Sequence, residues 1–250
     1  NNLIESFGGN KPKYEDSGES SWRSRFSSTK PTTAKGINTF TWNLRYPGPT
    51  TFDGIIIWGA SATTGPKAPL GTYTVQMKVG PEVIKSYPFK IEMDPNLKGI
   101  TAEDLQKQFE LASKITEKAT IANEAVIQIR SIRKQLDSLG KGISSRKFTK
   151  LTEDFMETLT EIENDLYQTK NQSGQDPLNF PIQLNNRFNA LQRSIENGDA
   201  RPTDAAYVVY DELVAELETH MAKLNSTLDK ELPKVNAVLE ENGISTIKAQ

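Results

Sequence analysis

The chain has 250 residues, a net charge of −2, 36% hydrophobic and 25% charged residues, and no cysteine. That length suffices for one large or two ordinary domains, and the balance of apolar and charged residues is that of a globular protein. The small net charge argues against a nucleic-acid binder, and the lack of cysteine excludes disulfides, thiolate nucleophiles and thiolate-held metals. The apolar run through Ile55, Ile56 and Ile57 ends at Trp58, far short of the roughly 20 residues a membrane helix needs, so no membrane insertion is expected. The chain opens on "NNLIESFGG", without Met and inside a strand-like pattern. It reads as a piece of a longer protein, so the lack of a visible signal peptide is uninformative.

Composition divides the chain near "DPNLKG", Asp94 to Gly99. Residues 1–99 hold 11 of the 16 Gly, 9 of the 13 Pro, all 3 Trp and a net charge of +4, whereas residues 100–250 carry −6. Turn formers and aromatics favour sheet; Leu, Glu and Lys without them favour helix. In the first part, residues 8–36 are polar, Ser-rich and basic and read as a long loop. In "NTFTWNLRYPG", Phe40, Trp42 and Leu44 alternate with Thr41 and Asn43, the period of a half-buried strand, and Pro47-Gly48 reads as a turn. "FDGIIIWG" reads as a more fully buried strand. Tyr73, Val75, Met77 and Val79 share one face of a further strand. Tyr87, Phe89, Ile91 and Met93 share a face of the next, and Gly80-Pro81 joins the two as a hairpin. Short strands between Gly/Pro turns predict an immunoglobulin-like antiparallel sandwich.

The second part predicts four helices. Thr101 is placed as N-cap of the first, with Asp104 three residues on and Gly140 as its stop. Leu105, Phe109, Ala112, Ile115, Ala119, Ala122, Val126, Ile129, Ile132 and Leu136 make its seam in steps of three and four. Phe148 to Leu166 repeat the pattern. A short third helix is placed from near Pro181 to Gly198. A fourth starts at "RPTDAA", with Pro202 in its first turn, and Pro233 is expected to kink or break it. Connections of this length predict an antiparallel bundle. The expectation is therefore an α+β chain of two domains, a sandwich over 1–97 and a bundle over 98–250.

Little in the chain resembles a reaction centre. The single histidine, His220, lies inside the fourth helix without a recognisable nucleophile beside it. The carboxylates of the second and fourth helices read as solvated faces. No phosphate-cradling glycine loop is present, and neither a cofactor nor a metal is expected. "DSGESSW", Asp16 to Trp22, resembles the Asp-box turn of sialidase-type propellers. Trp22 comes one residue late, however, and Tyr14 stands where Ser or Thr is usual, so it reads as a chance match. Arg45 and Tyr46 admit two readings. One is an exposed ligand-binding corner. The other, preferred here, has Arg45 pairing with a carboxylate such as Asp53 while its stem covers apolar surface.

Several longer stretches carry a resemblance: "NTFTWNLRYPGP", "GIIIWGA", "GPKAPLGTYTVQMKVG", "LNNRFNALQRSIENGDARPTDAAYVVYDELVAELE" and "LPKVNAVLEENGI". Together they resemble the C-terminal region of exported bacterial proteins named as BNR-repeat or sortilin-like glycosyl hydrolases. In those, a β-propeller precedes a sandwich and a helical region. The sandwich also resembles that of the flagellar hook-capping protein around "GTYTV". The resemblance covers residues 35–243 and transfers no catalytic residue, since the hydrolase name belongs to the propeller. It implies a periplasmic, cell-surface or secreted parent. The partners it implies are that parent's own propeller, a glycan or another envelope protein. The leading expectation is a non-catalytic accessory region. The alternatives are a carbohydrate-binding module using Trp22 or Tyr14, and a glycosidase-type site in which Arg45 and Tyr46 meet Glu103 or Asp104 between sandwich and bundle.

Overall fold

A computed structural model describes residues 3–4, 6–7, 35–143 and 145–249 of the chain. Tyr14, Trp22 and the Asp16–Trp22 stretch lie outside the described residues. The first helix, α1, runs from Ala102 to Leu139. Its start is a reciprocal capping box. The Asp104 amide donates to Thr101 Oγ1 at 3.2 Å, and the Thr101 amide donates back to Asp104 Oδ2 at 2.9 Å. Gly140 closes the helix with its amide on the Leu136 carbonyl. The 38 residues of α1 span about 57 Å. Its middle is buried on more than one side, by Ala119, Ala122, Ala125, Val126 and Ile129.

After a 3-10 turn at Gly140–Gly142, helix α2 occupies Arg146–Leu166. It runs antiparallel to α1, since Arg130 meets Glu163 while Arg133 reaches Thr160. Helix α3, Leu184–Ile195, starts three residues after the expected Pro181. It is also antiparallel to α1, with Asn123 meeting Asn185 and Thr116 meeting Gln192. Helix α4 spans Asp204–Glu241 behind a Thr203 N-cap, so Pro202 precedes the cap rather than filling the first turn. Pro233 does not break it. The carbonyl four residues earlier belongs to exposed Asp229, where water can take the missing bond, and buried Leu232 and Val235 hold the helix to the bundle on either side of the proline. Gly243, at φ +69°, turns the chain back. Ile247 then packs at 3% exposure, with its amide on Asn236 Oδ1.

The strands form two separate two-stranded antiparallel sheets among the described residues. One pairs β1, Arg45–Pro47, with β2, Thr64–Lys67; the other pairs β3, Gly71–Val79, with β4, Glu82–Ile91. β3 and β4 pair as the expected hairpin, with Tyr73 opposite Phe89 and Val75 opposite Tyr87 and a bulge near Met77 and Lys78. Its two-residue turn starts at Gly80 with φ +59°, the position that a type II′ turn reserves for glycine. In β1–β2 the chains approach so closely that a Cβ at Gly65 would overlap the Tyr46 and Pro47 carbonyls, and one at Gly48 the Thr63 carbonyl.

Two expected strands are not strands here. Residues 38–43 form no strand pairing among the described residues. Instead the Asn43 side chain accepts the Arg45 amide at 3.1 Å, and the Trp42 indole N–H donates to the Arg45 carbonyl at 2.9 Å. Between them Leu44, expected in the core, takes φ +57° and is 44% exposed. The "FDGIIIWG" segment lies along the helices as a strap. Phe52 joins the helical core at 8% exposure, edge-on to Tyr167 at 5.0 Å. Helix-borne side chains replace the missing strand partners. The Tyr167 hydroxyl accepts the Ile56 amide and donates to the Gly54 carbonyl. Asn186 accepts the Trp58 amide at 2.6 Å and donates to the Trp58 carbonyl at 2.9 Å. Asn123 donates to the Thr50 carbonyl.

Removing the Thr101 hydroxyl tests the start of α1. Thr101→Ala should cost about 1 kcal/mol of stability in urea denaturation. Hydrogen bonds from the Thr101 hydroxyl and amide, with Arg201 beside it, hold the Asp104 carboxyl below its ordinary 3.8. Asp176 is held low by the Gln172 and Ser173 amides and the Ser173 hydroxyl. Depressed carboxyls stabilise the fold above their unfolded values. Stability should therefore fall with pH below about 4 as each is protonated, and less steeply in the Thr101→Ala variant.

Candidate interaction surface

Arg45 sits on β1 and is held at both ends of its reach. Its Nη1 donates to the Gly65 carbonyl at 2.6 Å and to Glu196 Oε2 at 2.8 Å. The partner is thus Glu196, beyond the end of α3, and not Asp53, which occupies an exposed turn. The Glu196 side chain is 4% exposed, and its other oxygen accepts the Lys67 amide at 2.8 Å. Since Lys67 is the cross-strand partner of Arg45, one carboxylate clamps both strands of the first sheet. Gln192 supports it by donating to Glu196 Oε2 and to the Thr64 carbonyl.

Tyr46 lays its ring against Phe109 of α1 at 4.9 Å between centroids. The acidic groups proposed as its companions have other partners. Asp104 is tied into the cap and faces Arg201, and Glu103 pairs with Lys107. His220 Nδ1 lies 3.5 Å from Asp165 Oδ2, a partner from α2 that the sequence did not suggest. Among the described residues no group of three or more His, Asp or Glu is placed to hold a metal ion. No described helix is long and apolar enough to cross a membrane.

The β3–β4 hairpin carries several of the exposed large apolar side chains among the described residues. At its base the aromatic residues cover each other: Trp42 meets Tyr73 at 6.0 Å and Phe89 at 6.2 Å, and Tyr73 stacks on Phe89. Burial and the neighbouring Tyr46 hydroxyl push the Tyr73 phenol up to about 12. It therefore stays protonated and donates to the Pro69 carbonyl at 2.6 Å. Further out the same face is open to solvent among the described residues, with Lys85 Nζ lying 5.2 Å from the centroid of the Tyr87 ring. Val75, Met77 and Tyr87 are 55%, 61% and 51% exposed, Val79 adds to the patch, and Lys85 stands opposite Met77 within it. An isolated hairpin is marginal in water, and a contiguous apolar patch on a sheet marks an interaction site.

No protein-family model matches this chain, and no curated protein or solved structure matches it. What the chain can do is therefore read from its own surfaces.

Glu196, Gln192 and Asn186 were missed as organisers of the β1–β2 corner and the strap. A signal for them existed. Asn185, Asn189, Gln192 and Glu196 are spaced by four, three and four, the period of one helix face, alongside Phe188 and Leu191. A polar stripe flanked by apolar seam residues calls for partners: Gln192 and Glu196 receive the backbone of the first sheet, Asn186 beside the stripe receives that of the strap, and Asn185 and Asn189 bond among the helices.

Proposed function

We propose that this chain is a non-catalytic interaction module. On this reading it is the C-terminal accessory region of a larger exported protein and docks onto that protein's own β-propeller. One observation carries the reading: the hairpin holds an apolar face of Val75, Met77 and Tyr87 out to solvent, beyond its aromatic base. The neighbour lays strands of its own across that face at the spacing of about 10 Å at which sheets pack. This would complete the immunoglobulin-like sandwich of which the hairpin is one layer. The helices and the clamped β1–β2 corner give the hairpin a fixed base. The placement of the acids favours this reading over a glycosidase-type site, because Asp104 is tied to Thr101 in the helix cap and Glu103 pairs with Lys107, while Arg45 pairs with Glu196.

A photo-crosslinking residue at Met77 in the full-length parent protein, expressed in its native cells, tests the proposal. The expected product is an intramolecular crosslink to a propeller strand, with none from a probe at Gln76 on the opposite face. Crosslinks absent at Met77, or equal at both positions, would remove the docking surface. Hydrolysis of aryl glycosides or sialosides by the 250-residue chain above a blank would remove the non-catalytic assignment.

A further inference from the structure

We infer that a depression between α1 and α2 is a binding site for a small ligand carrying an oxyanion: a carboxylate, sulfate or phosphate group. Its floor is Glu163, whose side chain is 3% exposed. Two guanidinium groups from successive turns of α1 converge on this one carboxylate. Arg130 Nε lies 2.7 Å from Oε1, and Arg133 Nη2 lies 2.8 Å from Oε2. Two cations on one anion leave a net positive charge in a cavity of about 450 Å³, lined by these three residues and by Thr160, Asn164 and Thr169. That volume is within the range of small-molecule sites, about 300–1,000 Å³.

The unused hydrogen-bonding capacity is almost all donor. Arg130 commits only Nε to Glu163, which leaves both of its Nη atoms without a partner among the described residues. Arg133 commits only Nη2, to Glu163 and to Thr160 Oγ1. Thr169 Oγ1 donates to Asn164 Oδ1 at 2.6 Å, so the Asn164 amide presents its NH₂ group. A neutral polar ligand would need acceptors and donors in balance; this set suits an acceptor-only group. Planar guanidinium forks match the paired oxygens of carboxylate, sulfate and phosphate.

The cations are also held in place before any ligand arrives. The Arg130 guanidinium carbon lies 4.6 Å from the Phe52 ring centroid and 5.3 Å from that of Tyr167. The strap thus walls one side of the guanidinium, while Glu163 fixes its Nε edge. Side chains ordered in the free protein lose little freedom on binding. A pair needed only to neutralise Glu163 would require one arginine; the second supplies the excess charge.

Titration calorimetry of the whole chain with sodium sulfate, sodium phosphate and sodium glucuronate, at ionic strength balanced with sodium chloride, tests the site. The three arms separate tetrahedral from carboxylate ligands. Saturable binding of at least one, with Kd near about 1 mM or tighter, is expected. Asn164→Asp replaces an exposed donor by a carboxylate aimed at the same space and should weaken that binding at least about tenfold without altering the circular dichroism. Arg133→Gln should weaken it comparably. Chloride-balanced titrations showing no saturable binding of any of the three would overturn the inference. So would binding that survives Asn164→Asp undiminished.

Discussion

Phe52→Ala is expected to lower the free energy of unfolding by about 3–4 kcal/mol, the range for deleting a buried phenyl ring. The ring is 8% exposed, makes an edge contact with Tyr167 and covers the guanidinium of Arg130. Its removal would leave a cavity between the strap and the helices and would also bare a cation that is held in place by aromatic faces. Urea denaturation followed by helical circular dichroism measures the effect, because on this packing the strap and the bundle unfold together. Phe52→Leu, which keeps most of the apolar volume, should cost less than half as much. A change below about 1 kcal/mol in Phe52→Ala would show that the strap is not part of the bundle core.

The same contact explains why the strap was read as a strand. The triplet Ile55-Ile56-Ile57 between glycine-containing turns has the composition of a buried strand, yet it pairs with no strand among the described residues. Composition does not say whether the partner of an extended segment is another strand or a row of helix side chains. The helical groups that hydrogen-bond to residues 45–67 lie between 70 and 151 residues away along the chain. No local pattern could pair Trp58 with Asn186 or Arg45 with Glu196. Features closed within a few residues were legible: the Thr101–Asp104 cap, the Gly140 stop and the β3–β4 hairpin turned at Gly80-Pro81. Whether Pro233 breaks the helix was hidden for a related reason, since its cost depends on where the freed Asp229 carbonyl points relative to the bundle.

The candidate surfaces divide along the same line. The apolar face of the hairpin was readable as Val75, Met77 and Tyr87 on one side of two strands. That it stays uncovered was not, because alternation gives the face and not its occupant. The Arg130–Arg133 pair was hidden inside a helix seam. Its meaning depends on Glu163 of α2 being buried opposite, which the even spread of acids along that helix conceals.

Glu196→Ala should be the most damaging single change at the Arg45 corner, costing about 3 kcal/mol, the lower end of the range for removing one member of a buried ion pair. The lower end applies because the Arg45 side chain is 23% exposed and can regain some water. Two groups lose their partner at once, the Arg45 guanidinium and the Lys67 amide, and the second cannot rotate away because it belongs to the β1–β2 ladder. Glu196→Gln keeps an oxygen for the Lys67 amide and removes the charge, so it should cost roughly 1–2 kcal/mol. In a double-mutant cycle, Arg45→Met combined with Glu196→Ala should be less destabilising than the sum of the two single changes, by at least about 0.5 kcal/mol. Amide exchange adds a spatial readout. Glu196→Ala should speed exchange at the Lys67 amide and in the strands around it, while α2 and the distal part of α1 keep their protection. Additive single changes, or exchange that accelerates evenly through all four helices, would mean that Glu196 supports the bundle as a whole and does not clamp the corner beneath the hairpin.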